Sequence, residues 1–217
     1  MISLKNVLKF YRTKGNVKTI LDHVTVDFRA GTSYGILGIN GAGKSTTMRM
    51  LGGTELPNSG KVIRNSRVSW PLGFAAGLHP LMTGRENVKF VAKVYGQDTR
   101  KVIQFVEDFA EIGAYIDEPY KNYSSGMAQR LAFGLSMAIE FECYLIDEVT
   151  AVGDARFQAR CREEFAKRKS SADIIMVSHS METVKEYCNR GVVLAHGVMH
   201  EFSNVDDAIE LYKKLNE

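Results

Sequence analysis

An α/β fold with a mainly parallel sheet flanked by helices, an antiparallel β subdomain and a helical subdomain is what the sequence predicts, on three observations. The run Gly38-Ile39-Asn40-Gly41-Ala42-Gly43-Lys44-Ser45 joins an apolar stretch to one of helical spacing. From Cys143 onward, short apolar runs alternate with helical stretches, the pattern of a parallel sheet covered on both faces. Between them lies a middle section whose apolar residues recur at helical spacing. With 217 residues, 45% of them hydrophobic, the chain can bury one substantial core, and no linker separates equal halves. One domain with lobes is expected: antiparallel β and phosphate-loop core over about 1–72, a helical lobe over about 73–140 and the returning core over about 141–217.

Element by element, alternating apolar residues over Ile2–Tyr11 and Ile20–Phe28, separated by polar Arg12–Lys18, predict an antiparallel pair. Tyr34–Leu37 reads as a strand entering the glycine-rich run, and Thr46–Leu51 as the helix leaving it. Lys61–Trp70 carries a weaker strand signal. Arg85–Tyr95 and Thr99–Ile112 read as helices, the second with Val102, Phe105, Val106 and Phe109 on one face. A helix over Gly126–Ile139, a strand Cys143–Asp147, a helix Ala155–Lys169, a strand Asp173–Ser178 and a helix Met181–Asn189 follow. Short strands around Val192–Leu194 and Val198–Phe202 and a helix within Val205–Leu215 close the chain.

Composition excludes several classes. A net charge of +3 on a chain with 24% charged residues is too mild to imply nucleic acid, and Lys167-Arg168-Lys169 reads as a solvated helix end, with a membrane-surface contact as the alternative. Cys143, Cys161 and Cys188 lie far apart without C-x-x-C spacing, which suggests neither a zinc site nor a disulfide framework and fits reduced thiols in the cytoplasm. The first residues lack the apolar core of a signal peptide, and the longest apolar stretch, near Leu131–Ile139, stops at Glu140. The chain itself is not expected to cross a membrane.

The run Gly38–Ser45 is a complete G-x-x-x-x-G-K-[ST] phosphate-binding loop in its strand–loop–helix context. Its glycines let the backbone aim successive N–H groups at phosphate oxygens, helped by the positive end of the following helix. Lys44 is then placed to reach the β- and γ-phosphates, and the Ser45 hydroxyl to ligate Mg²⁺. Cys143–Asp147 is an apolar strand ending in the carboxylates Asp147 and Glu148; beside a phosphate loop, Asp147 reads as part of the Mg²⁺ shell and Glu148 as the group that polarises the attacking water. In Tyr123-Ser124-Ser125-Gly126-Met127 a serine can simply cap the next helix, or the hydroxyl, the glycine N–H and the helix start can bind a γ-phosphate. Because the chain's own phosphate loop is already complete, the second reading suggests nucleotide supplied by a second copy. His179 follows another apolar strand at the sheet end where ligands bind, and can be structural or functional.

Taken together, these segments resemble the nucleotide-binding subunit of an ATP-binding cassette (ABC) transporter, a P-loop NTPase ABC nucleotide-binding domain, over essentially the whole chain. The resemblance implies an ATP hydrolase using ATP and Mg²⁺. It implies that Tyr11 stacks on adenine, that Gly38, Asn40, Gly41, Ala42, Gly43, Lys44, Ser45 and Thr46 wrap the phosphates, and that Ser124, Ser125 and Gly126 form the signature loop facing ATP held by the opposite subunit. Asp154 looks like the loop that crosses between subunits, and His179 like the switch histidine that holds the γ-phosphate and orients Glu148. Lys44, Glu148 and His179 are thus the expected catalytic residues, and Ser45 and Asp147 the metal ligands.

Two departures matter. The signature, usually Leu-Ser-Gly-Gly-Gln, reads Tyr-Ser-Ser-Gly-Met, and the segment that normally carries a Mg²⁺-contacting glutamine reads Trp70-Pro71-Leu72-Gly73-Phe74-Ala75-Ala76-Gly77-Leu78. Together with Thr83–Ala92 and Asp147–Asp154, these segments closely resemble the ATP-binding subunit of bacterial capsular polysaccharide exporters, the KpsT type, with O-antigen and teichoic acid exporters sharing much of the pattern. That implies a peripheral subunit on the cytoplasmic face of the inner membrane, dimerising on ATP and driving an integral-membrane permease, with periplasmic and outer-membrane export proteins as further partners and no nucleic acid. Leu78, Leu81, Met82 and Trp70–Phe74 are the expected receiving groove for a permease helix, or ordinary lobe core.

Overall fold

The computed structural model describes residues 1–72, 78–147, 154–169 and 171–216. They gather into two compact units. The core unit takes in Met1–Pro71, the strand that follows Phe141 and the chain from Ser171 onward. The helical unit takes in Leu72–Glu140 and the helix Ala155–Lys169.

In the core unit, β1 (Ile2–Thr13) and β2 (Asn16–Phe28) form an antiparallel hairpin. The polar loop expected over Arg12–Lys18 shrinks to the Lys14-Gly15 turn, because Gly15 adopts φ +90° and lets both strands run on through their polar ends. The Lys61–Trp70 signal resolves into two strands in different sheets. β4 (Ser59–Arg64) pairs with β1, and β5 (Val68–Pro71) edges the larger sheet beside β6 (Cys143–Asp147). Pro71, which donates no ladder hydrogen bond, ends that edge strand.

The larger sheet has the order β5-β6-β7-β3-β8-β9, with β3 at Tyr34–Leu37, β7 at Asp173–Val177, β8 at Arg190–Ala195 and β9 at Val198–Phe202. All its pairings are parallel except β8 with β9. Every residue of β3 is buried, as a central strand covered on both faces requires. α1 (Lys44–Leu51), α6 (Met181–Tyr187) and α7 (Val205–Lys214) complete the unit. Ser180 caps α6 by accepting from Thr183 N at 3.2 Å, and Asn204 caps α7 at Asp206 N at 3.0 Å. One apolar cluster joins the two sheets, with Ile2, Leu4 and Phe28 from the small sheet against Ile36, Leu145 and Ile175 from the large one.

The helical unit consists of α2 (Gly84–Val94), α3 (Thr99–Ala110), two 3₁₀ turns at Gly113–Asp117 and Tyr120–Asn122, α4 (Ser125–Ala138) and α5 (Ala155–Lys169). A capping box opens α2: the Thr83 hydroxyl accepts from Glu86 N at 3.1 Å and the Glu86 carboxylate accepts from Thr83 N at 2.9 Å. Sequence order groups α5 with the returning core, but the structure assigns it to this unit for a packing reason. Phe157 meets Phe109 and Phe133 edge-on, with ring centroids 5.3 and 6.3 Å apart, and Phe109 stacks on Phe133 at 5.9 Å. Nor is Lys167–Lys169 simply solvated: Lys167 pairs with Glu164 at 2.6 Å and Arg168 donates to Met137 O at 2.7 Å.

Candidate functional site

Register explains why the core unit's candidates converge. β6 pairs with β7 so that Asp147 lies opposite Val177, and β3 pairs with β7 so that Gly35 lies opposite Met176. The parallel strands therefore release Gly38, Asp147 and Ser178-His179 at one end of the sheet, within a residue or two of the same level. Strand order changes direction beside β3, where ligands of open α/β sheets bind. A cavity of about 360 Å³ at this end is lined by Tyr11, Lys18, Ile20, Asn40, Gly41, Gly43, Lys44, Ser45, Thr46, Asp147, Val177 and His179.

The loop's shape depends on its glycines. Gly43, at φ +108°, precedes α1, and a Cβ there would collide with the Ile20 side chain. Gly38 meets the backbone of β8, where a Cβ would lie 2.5 Å from Leu194 O. Ala42 N donates to Ile39 O at 3.1 Å, closing the loop on itself, and Thr47 N donates to Gly43 O at 2.9 Å, starting the helical ladder. The Lys44 ammonium is held inside the loop by Gly38 O at 2.6 Å and Ile39 O at 3.2 Å. Ser45 is exposed while Thr46 is buried. Ser45 and Asp147 line the same cavity, and a hydroxyl with a carboxylate is a hard-oxygen donor pair that suits Mg²⁺.

Tyr11, exposed at the cavity rim, is held by a polar cluster that sequence reasoning missed. Its hydroxyl donates to Glu55 and lies 3.4 Å from Thr46 Oγ1. Arg49 bonds both Glu55, at 2.9 Å, and Thr46 Oγ1, at 3.1 Å. Lys9, buried, pairs with Glu55 at 2.7 Å and places its ammonium 5.0 Å from the Tyr11 ring centre. Burial works to raise the Glu55 carboxyl, but hydrogen bonds from Lys9, Tyr11 and Arg49 outweigh it and bring it down to about 2. Glu55 follows a turn and carries no motif, so only the folded chain reveals it.

The other candidates belong to the helical unit. Ser124 caps α4, accepting from Met127 N at 3.2 Å, which is the capping option its sequence left open; Ser124 and Ser125 are exposed and Gly126 is half-buried. Asp154 caps α5 at Phe157 N, 2.9 Å, and accepts from Arg130 of α4 at 2.8 Å. The Phe157 N–H and then Arg130 hold its carboxyl below the usual carboxylate range. A three-arginine cluster continues this contact, with Arg160 at 2.8 Å and Arg156 at 3.3 Å from Glu111, and Arg130 over the Phe157 ring at 4.7 Å. The elements bearing Asp154 and Ser124 are thus tied through α4.

Glu148 lies outside the described residues, as do 73–77 of the segment expected to carry a glutamine. Within the expected permease groove, Leu81 is 65% exposed whereas Leu72 is buried. The three cysteines are buried, and burial pushes the thiols of Cys143 and Cys161 up to about 12, which disfavours the thiolate. Among the described residues no helix is long and apolar enough to cross a membrane.

Comparison with known proteins agrees with this geometry. The family profile described as ABC transporter matches residues 21–151. The chain is 45% identical to the ATP-binding protein BexA of Haemophilus influenzae over 99% of each chain. It is 46% identical to the polysialic acid transport ATP-binding protein KpsT of Escherichia coli, over 98% of this chain and 96% of that one. Among solved structures, the ATP-binding cassette MJ0796, in a dimeric post-hydrolysis state bound to ADP and Pi, superposes with a TM-score of 0.74 at 22% identity, covering 93% of this chain and 98% of that one. At that identity the likeness concerns the fold.

Proposed function

The chain belongs to the ATP-binding subunits of ABC transporters, and from that premise we propose that it hydrolyses ATP to power export of a lipid-linked capsular polysaccharide across the inner membrane. The observation that carries the chemistry is the single cavity that collects the phosphate loop, Asp147 and His179 beside Tyr11. The cargo rests on near full-length similarity to BexA and KpsT.

In this reading Tyr11 stacks on the adenine and Glu55 fixes the ring by its hydroxyl. Loop N–H groups and Lys44 hold the phosphates, and Ser45 with Asp147 would hold Mg²⁺, which screens phosphate charge when bound. Glu148 polarises a water that attacks the γ-phosphorus; the bond to the bridging oxygen breaks, leaving ADP and inorganic phosphate. His179 donates to the γ-phosphate and steadies Glu148. Ser124, Ser125 and Gly126 of one copy cap ATP bound to the other, with Asp154 beside that contact. Binding closes the pair, and hydrolysis removes the ligand both copies grip. The helical unit, with Leu81 exposed, then passes the motion to a permease whose cytoplasmic helix seats near Leu78, Leu81 and Met82. Periplasmic and outer-membrane export proteins complete the path, and the subunit works at the cytoplasmic face of the membrane.

The test is to tag the Glu148→Gln chain, extract it from native membranes with ATP, and identify what accompanies it by mass spectrometry. A permease with periplasmic and outer-membrane capsule-export proteins is the expected result. A permease with a solute-binding protein would mean import, and recovery with ribosomes or DNA would remove transport from the account.

A further inference from the structure

We infer that Lys18 is a nucleotide-binding residue, an ammonium that holds the phosphate chain from the hairpin side while Lys44 holds it from the loop side. The inference rests on the ATP-binding reading above and adds a contact for which the sequence carries no motif.

Three observations place Lys18 there. In the β1–β2 hairpin, Lys18 lies directly opposite Tyr11, so the two side chains share one face of the ladder. Lys18 and Ile20, two residues apart on β2, line the nucleotide cavity together, as the alternation of a strand demands. The Lys18 ammonium reaches the phosphate loop itself, since a Cβ built on Gly41 would lie 3.5 Å from Lys18 Nζ.

The charges of the small sheet point the same way. Two other lysines of the small sheet are neutralised, Lys5 by Asp27 at 2.7 Å and Lys9 by Glu55 at 2.7 Å. Lys18 forms no ion pair among the described residues, although its side chain extends over a loop whose N–H groups already favour an anion. Among the described residues of the cavity lining, the ammonium groups of Lys18 and Lys44 face one carboxylate, Asp147. A polyanion is the ligand class that such a lining recognises, and the hairpin register sets Lys18 beside the ring expected to hold the base.

Equilibrium binding of two probes, Mg-ATP and inorganic tripolyphosphate, separates the roles. Lys18→Ala should raise the Kd for both probes about tenfold, the effect of losing one charge-assisted hydrogen bond, and Lys18→Arg should restore both. Tyr11→Ala should raise the Kd for ATP and leave tripolyphosphate unchanged. An unaltered tripolyphosphate Kd in Lys18→Ala overturns the inference, even if ATP binding falls, because the lysine would then act on the base. If Lys44→Ala abolishes ATP binding while Lys18→Ala matches wild type for both probes, the ATP reading stands and the role of Lys18 falls. A wild-type chain that binds neither probe overturns both.

Discussion

The phosphate loop and the signature segment both open helices, yet they are built by different means. Around Gly38–Ser45 the backbone itself is the instrument: Gly43 sits at φ +108° against Ile20, and Lys44 is held by the loop's own carbonyls. Around Ser124–Gly126 the backbone is ordinary, and side chains carry the structure, with Ser124 capping α4 and Arg130 tying α4 to Asp154. A loop fixed by backbone geometry can recognise phosphate unaided. A segment held by side-chain contacts suits the role proposed above, in which it caps ATP bound to another copy.

The largest expected effect on nucleotide binding tests the first half of that contrast. Gly43→Ala costs about 1–2 kcal/mol in backbone handedness alone. Its methyl group also enters the space of Ile20. The loop must shift, and ATP affinity in equilibrium binding should fall by more than about tenfold, each 1.4 kcal/mol lost being tenfold in Kd. Near wild-type affinity would mean that the loop tolerates rearrangement and that backbone geometry is not what binds.

Unfolding tests the support of the second half. Phe109, 2% exposed, stacks between helices of the signature-bearing unit, and Phe109→Ala should destabilise it by about 3–5 kcal/mol in urea unfolding. A split transition, with the helical signal lost first, would show that the two units unfold separately.

The smallest effect concerns Glu55, whose cluster supports Tyr11. Its carboxyl is depressed to about 2 in the folded chain and titrates near 4.3 when unfolded. The sign follows: the ionised clasp stabilises the fold fully above the unfolded value and loses its contribution as pH falls from about 4.3 toward 2. The stability difference between wild type and Glu55→Gln should be flat above about pH 5 and shrink below it. A difference that stays constant to pH 2.5 would show that the charge on Glu55 contributes nothing.

The same contrast governs what could be read from sequence. Strand β6, helix α5 and strand β9 carry the bounds that periodicity predicts, and the phosphate loop lies between strand and helix as its motif requires. The antiparallel β1–β2 pair was legible too, but its register was not. The Lys14-Gly15 turn sets which residues face each other, and a polar loop drawn over Arg12–Lys18 hides Lys18 as the partner of Tyr11. Glu55 meets Lys9, Tyr11 and Arg49 only through the fold. The allegiance of α5 depends on the shape of Phe157 against Phe109, and helical spacing holds no information about which neighbour a face will find. Had the hairpin been assigned a two-residue turn from Lys14-Gly15, the cross-strand pair would have been available to sequence reasoning.

The most direct test of the account is the mass of the Glu148→Gln chain by light scattering in Mg-ATP and in Mg-ADP. The chain should run at about twice the 24.2 kDa monomer in ATP and as the monomer in ADP, with Ser124→Ala weakening the ATP-dependent pair. A monomer in both nucleotides, from protein shown to bind ATP, would contradict the claim that the signature segment of one copy completes the site of another.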